Sequence, residues 1–177
     1  LPKMLPMIEI LRSYQRSGRL DKFATFLDAA EEAADDAPVQ SLLAIYHFMN
    51  NQPEQGQMHM GYVQLDALFS SDDYADYGLC LFLAGRIDEA KSILRKALDI
   101  HPPSSMAHAR LGSLYMANHD LDQAEEHFQL ALDLDPQRFE AVSNLAGIKA
   151  RRNDLSSALS LYNKALAINP DLEVAKQ

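Results

Sequence analysis

The residues of this 177-residue chain whose types could do chemistry are six histidines, one cysteine and two acidic clusters. Histidine can move protons near neutral pH or hold a metal. Metal binding needs ligands at fixed spacing, such as His-Glu-x-x-His or paired Cys and His. His47, His59, His101, His108, His119 and His127 show neither pattern. Met58-His59-Met60 offers soft ligands, but neighbours on a helix point in different directions and do not share one ion. His101 closes a helix, where an imidazolium suits the dipole, and His119 falls in a turn. Asp35-Asp36, and Asp72-Asp73 with Asp76, could do acid–base work if held together and buried. They fall at helix starts and in linkers, where aspartate caps or meets the helix dipole favourably. Cys80 lies among Leu79, Leu81 and Phe82, which predicts a buried, inert thiol. There is no Gly-rich phosphate loop and no Gly-x-Ser-x-Gly nucleophile turn. The expectation is a chain that is not an enzyme and carries no metal or cofactor.

The elements that position these residues follow a period. Pro102, Pro136 and Pro170 are each 34 residues apart. Ala90, Ala124 and Ala158 share that register, as do Ala97, Ala131 and Ala165, and Leu98, Leu132 and Leu166. Leu94, Phe128 and Tyr162 occupy one position, and Gly78, Gly112 and Ala146 another. Within each unit, apolar residues recur at steps of three and four, which gives two amphipathic helices. Ala84-Gly85-Arg86, Asn118-His119-Asp120 and Asn153-Asp154 read as the turns between them. Gly and Asn tolerate left-handed backbone at a helix end, and Asp120 and Asp154 can cap the helix that follows. The small residues predict close helix approach, with the ring of Phe128 filling the space beside Gly112 and Ala124. Each closing proline stops the second helix.

These residues resemble the tetratricopeptide repeat. The resemblance covers residues 71–104, 105–138 and 139–172, and departs from the family where Tyr74, His108 and Val142 replace its preferred tryptophan and where Lys149 replaces tyrosine. It implies an all-α fold, a right-handed superhelical stack of antiparallel helix pairs. Extending the register backwards gives two degenerate hairpins over residues 1–70, from the cues Leu43, Ala44 and Gly56 in one and Gly18-Arg19-Leu20, Leu27 and Ala30 in the other. A non-repeat helical cap is the alternative for that stretch. Residues 173–177 read as the start of a further, truncated helix, so the chain is expected to be a piece of something longer.

Net charge is −9 and basic residues are scattered, which argues against a nucleic-acid partner. No apolar run nears the roughly 18 residues of a membrane span, so no membrane insertion by this piece is expected. A single cysteine precludes an internal disulfide. That fits the cytoplasm, and the periplasm is also compatible.

The resemblance further implies that first helices line a concave groove and that the partner is a protein or peptide. Residues on first helices that point away from their own hairpins are Leu42, Ile45, Phe48 and Met49, then Leu79, Phe82 and Leu83, then Arg110, Ser113 and Met116, then Asn144 and Arg151. The N-terminal part of this set is apolar and suits an amphipathic helix. The C-terminal arginines suit a carboxylate. Some family members clamp C-terminal carboxylates with lysine and asparagine. Asp72, Ala75 and Asp76 stand in that region here, so the clamp is not carried over. The functional expectation is a protein-interaction scaffold, with a recruiting module of a larger enzyme such as a transferase as the alternative. End units could also pair copies of the chain.

Overall fold

The computed structural model describes residues 5–17, 19, 22, 25 and 36–170. Among the described residues there are nine α-helices and no strand. The helices are α1 (Leu5–Arg16), α2 (Ala37–Met49), α3 (Pro53–Gly61), α4 (Ser71–Leu83), α5 (Ile87–Ile100), α6 (Ser105–Ala117), α7 (Leu121–Leu134), α8 (Phe139–Arg151) and α9 (Leu155–Ile168). The short turn Leu65–Ala67 lies between α3 and α4. The second helix expected in the first hairpin and the helix start at 173–177 lie outside the described residues.

Starting at α2, the helices pack in hairpins, and each hairpin packs on the next. The 34-residue period is visible in the backbone. First helices start at Ala37, Ser71, Ser105 and Phe139. Left-handed backbone falls at Asn51 (φ 59°), Gly85 (φ 78°), His119 (φ 61°) and Asn153 (φ 62°). His119, not the adjacent Asn118, takes that geometry in its turn. The register therefore reaches back into the second hairpin. The expected caps form: the carboxylates of Asp120 and Asp154 accept from the amides of Gln123 and Ser157, each at 3.2 Å. Ser70 and Asp73 make a reciprocal box at the start of α4.

Close packing explains the small residues. A Cβ on Gly78 would stand 2.7 Å from the Leu94 side chain, and one on Gly112 would stand 2.8 Å from the Phe128 ring. In both hairpins the second helix presses a large side chain onto a glycine of the first. The second hairpin reverses this. A Cβ on Gly56 of α3 would meet the Phe48 ring of α2 at 2.8 Å, so the large residue comes from the first helix. That inversion is why the sequence register looked degenerate there. Tyr74, at the family's tryptophan position, is buried and donates its hydroxyl to the Leu65 carbonyl at 3.2 Å. Lys149, at the other departure, pairs with Glu125 across the α7–α8 boundary.

Candidate functional site

The first helices α2, α4, α6 and α8 lie side by side, and their residues fall into three sets. Leu42 and Ile45 are fully buried, and Leu79 is buried too. Ile45 and Leu79 join Ala44 and Cys80 in the core where α2 meets α4. Phe48, Phe82 and Leu83 are half-buried and pack over that same cluster. Met49 is 52% exposed at the end of α2. Met116 is half-buried on the core of α6 to α9. The Phe48 ring turns onto Gly56 of its own hairpin, so the reading that it points away from that hairpin is corrected. An apolar rim of Met49, Phe82, Leu83 and Met116 follows the ends of α2, α4 and α6.

The polar set behaves differently from what its residue types suggest. Arg110 is buried and donates to the Glu140 carboxylate on α8. The Ser113 hydroxyl donates to Glu140 at 2.8 Å, and the Asn144 amide reaches the Ser113 oxygen at 3.4 Å. The acid expected from a partner at Arg110 is thus already supplied by the chain. Arg138 is buried, donates to the Ser105 hydroxyl at 2.7 Å and pairs with Asp135 at 3.5 Å. Arg151 is exposed at the end of α8.

The third set was not singled out from the sequence as a site. Arg12 of α1 is buried and bridges two carboxylates of α4, with Nη2 2.6 Å from Asp73 and Nε 2.9 Å from Asp76. Burial alone would raise the Asp73 carboxyl. Hydrogen bonds from Arg12 and from the Ser70 and Phe69 amides outweigh it and hold this group below the usual carboxylate range. Burial pushes Asp76 up, with Arg12 and Arg110 opposing the shift. Burial would lower Arg12, yet the two aspartates hold its guanidinium above its ordinary value. The other oxygen of Asp76, Oδ1, is buried without a protein hydrogen-bond partner among the described residues, and so is Nε of Arg110. The reading of these aspartates as caps or dipole charges at a helix start holds for Asp73 and is corrected for Asp76. Asp73 does cap α4, but Asp76 is fully buried and both serve a long-range ion pair. A sequence signal existed. Asp76 sits one helical turn into α4 among Tyr74, Ala75, Tyr77 and Gly78, away from the end where a cap could use it.

The remaining chemical candidates resolve simply. Cys80 is buried, its thiol donates to the Ser41 carbonyl at 3.2 Å, and burial pushes its pKa well up. Met58 is exposed while His59 is buried against Gln40, so the Met-His-Met run points apart. No cluster of three metal-ligating side chains occurs among the described residues. Also among them, no helix is long and apolar enough to cross a membrane.

His108 and His127 face each other across the α6–α7 hairpin with Nδ1 atoms 3.0 Å apart. Burial holds both imidazoles below their ordinary value, and repulsion from His108 lowers His127 further. The unfolded chain therefore takes up protons at higher pH than the folded one. Stability should fall as pH drops through the unfolded value of about 6.5 and level off below the depressed folded values. A thermal melt series should show this, and His108→Gln/His127→Gln should flatten it. An unchanged slope in that variant would assign the pH response to other groups.

The comparisons with known proteins agree with this geometry. The family model described as tetratricopeptide repeat matches residues 81–146 and 116–176, together more than half of the chain. No curated protein matches the sequence. Several solved structures share the fold. TTC0263, a thermophilic TPR protein in Thermus thermophilus, has a TM-score of 0.71 at 21% identity over 96% of this chain and 93% of its own. Pseudomonas aeruginosa PilF has a TM-score of 0.61 at 18% identity over 95% of this chain and 77% of its own. YrrB, described as a TPR protein with an unusual peptide-binding site, has a TM-score of 0.54 at 19% identity over 97% and 89%.

Proposed function

Since the chain belongs to the tetratricopeptide repeat family, we propose that it is a protein–protein interaction scaffold that binds a peptide or partner helix along the face of its first helices. The observation that carries this reading is the rim of Met49, Phe82, Leu83 and Met116, half-buried or exposed on successive first helices. Half-buried aromatic and methionine side chains keep apolar area in reach of a partner and adapt to its shape. The net charge of −9 favours a protein over a nucleic acid. A larger enzyme could use the same face for recruitment. Arg151, exposed beyond the rim, remains the group offered to a partner's acid. Leu155 and Leu159 are 64% and 63% exposed on the last described helix, and this end face would serve pairing of copies through end units.

The test is capture of a partner from cell extract, then calorimetry with the purified partner. Phe82→Ala should weaken binding by about 1–3 kcal/mol, the usual loss at an apolar anchor. Leu130→Ala, on the second helix α7 where Leu130 is 39% exposed, should leave it unchanged. The opposite pattern, in folded proteins, would move the binding face to the second helices.

A further inference from the structure

The helix α1 packs on α2. Its side chains reach past α2. Arg12 bridges Asp73 and Asp76 on α4. Arg16 lies 3.9 Å from Asp135, just ahead of α8. Between these points, α1 shares a cleft with Asp72, Met106 and Arg138, at the starts of α4, α6 and α8. One helix thus spans the N-terminal ends of the first helices of three consecutive hairpins, at the opposite end of these helices from the apolar rim. Without α1 this floor is acidic. Among the described residues outside α1, the cations paired with or acting on Asp72, Asp73, Asp76, Asp135 and Glu140 are Arg110 and Arg138. Asp76 also keeps a fully buried oxygen without a protein partner among the described residues. A floor with excess buried carboxylate needs a cation from whatever covers it, and α1 supplies Arg12 and Arg16.

We propose that α1 is an internal ligand of this face, and that the partner it stands in for is a basic amphipathic helix that donates an arginine to Asp73 and Asp76. The inference rests on the interaction-scaffold reading and names both the partner's chemistry and its competitor. Asp73 and Asp76 lie about one helical turn apart on α4, so a planar guanidinium can engage both at once, whereas an ammonium is a point charge. Ile8 and Leu11, both buried (4% and 0% exposed), are one turn apart and give the apolar side such a helix would copy. A helix already in place lowers the apparent affinity of any competitor by the fraction of open face.

The experiment uses the full chain and a labelled synthetic peptide of residues 5–17. Hydrogen exchange on the unmutated chain with excess peptide should show α1 amides losing protection while α4 to α9 keep theirs. In fluorescence anisotropy, Arg12→Ala protein should bind the wild-type peptide about ten-fold or more tighter than the unmutated protein does, since its internal competitor is weakened. Peptide carrying Arg12→Lys should bind less well, and higher salt should weaken the interaction. Three results would overturn the proposal: unchanged α1 protection at saturating peptide, equal affinity for Arg12→Ala and unmutated protein, or sedimentation showing a dimer that the peptide dissociates. The last would assign the face to a second copy. The Phe82→Ala comparison does not involve α1, so its failure would be read separately.

Discussion

Phe128→Ala should lower the unfolding free energy by about 3–5 kcal/mol, as removal of a buried aromatic ring usually does. Phe128 is 0% exposed, and its ring sits against the backbone of Gly112. It joins Ala109 and Ala124 of its own hairpin with Val142 and Leu145 of the next in one core cluster. Truncation would therefore open a cavity at the joint between two hairpins. In a stacked protein, stability is the sum of weak unit terms and strong neighbour terms, so the loss should reach beyond one hairpin. The α8–α9 hairpin should lose exchange protection together with α6–α7. Urea unfolding of wild type and variant gives the magnitude, and hydrogen exchange gives the spread. A shift below about 1 kcal/mol, within the range of ordinary surface changes, would mean that the α7–α8 joint carries little of the stack's stability.

The period was legible because its causes are local. A proline that ends a helix, an aspartate that caps one and a small residue at a close approach act at fixed offsets, so Pro102, Asp120 and Gly112 announce themselves. The second hairpin was harder, because Phe48 and Gly56 exchange the usual roles of the two helices. Spacing alone cannot show which helix supplies the ring. The groove was legible only in part. Helical offsets give the direction of Leu42, Ile45 and Phe82 from their own hairpins, but they do not tell how deep the neighbouring hairpin buries them. Leu42 and Ile45 are fully covered while Phe82 is not. The ionic floor was illegible for a different reason. Arg12 and Asp76 are 64 residues apart, and no periodic pattern links a residue of α1 to one of α4.

Arg110→Met should cost about 2–3 kcal/mol of stability, between the value for an exposed pair and that for a fully buried one. Arg110 is buried, but its partner Glu140 keeps 20% of its side chain in solvent, which reduces the penalty. The substitution keeps the length and apolar stem of the side chain. It leaves Glu140 with only the Ser113 hydroxyl at 2.8 Å among these polar partners, and it removes one of the two cations that oppose the burial of Asp76. Adding Glu140→Gln should recover much of the loss, since a neutral amide no longer requires a cation beside it. The cycle of two single variants and the double, measured in urea, isolates the coupling. The result bears on binding as well as folding. If Arg110 were held for a partner's carboxylate, Arg110→Met would cost below about 1 kcal/mol, and the two substitutions would add. Strong coupling would instead make Arg110 and Glu140 an internal pair fixing α6 against α8, the spacing on which a helix laid across α4, α6 and α8 depends.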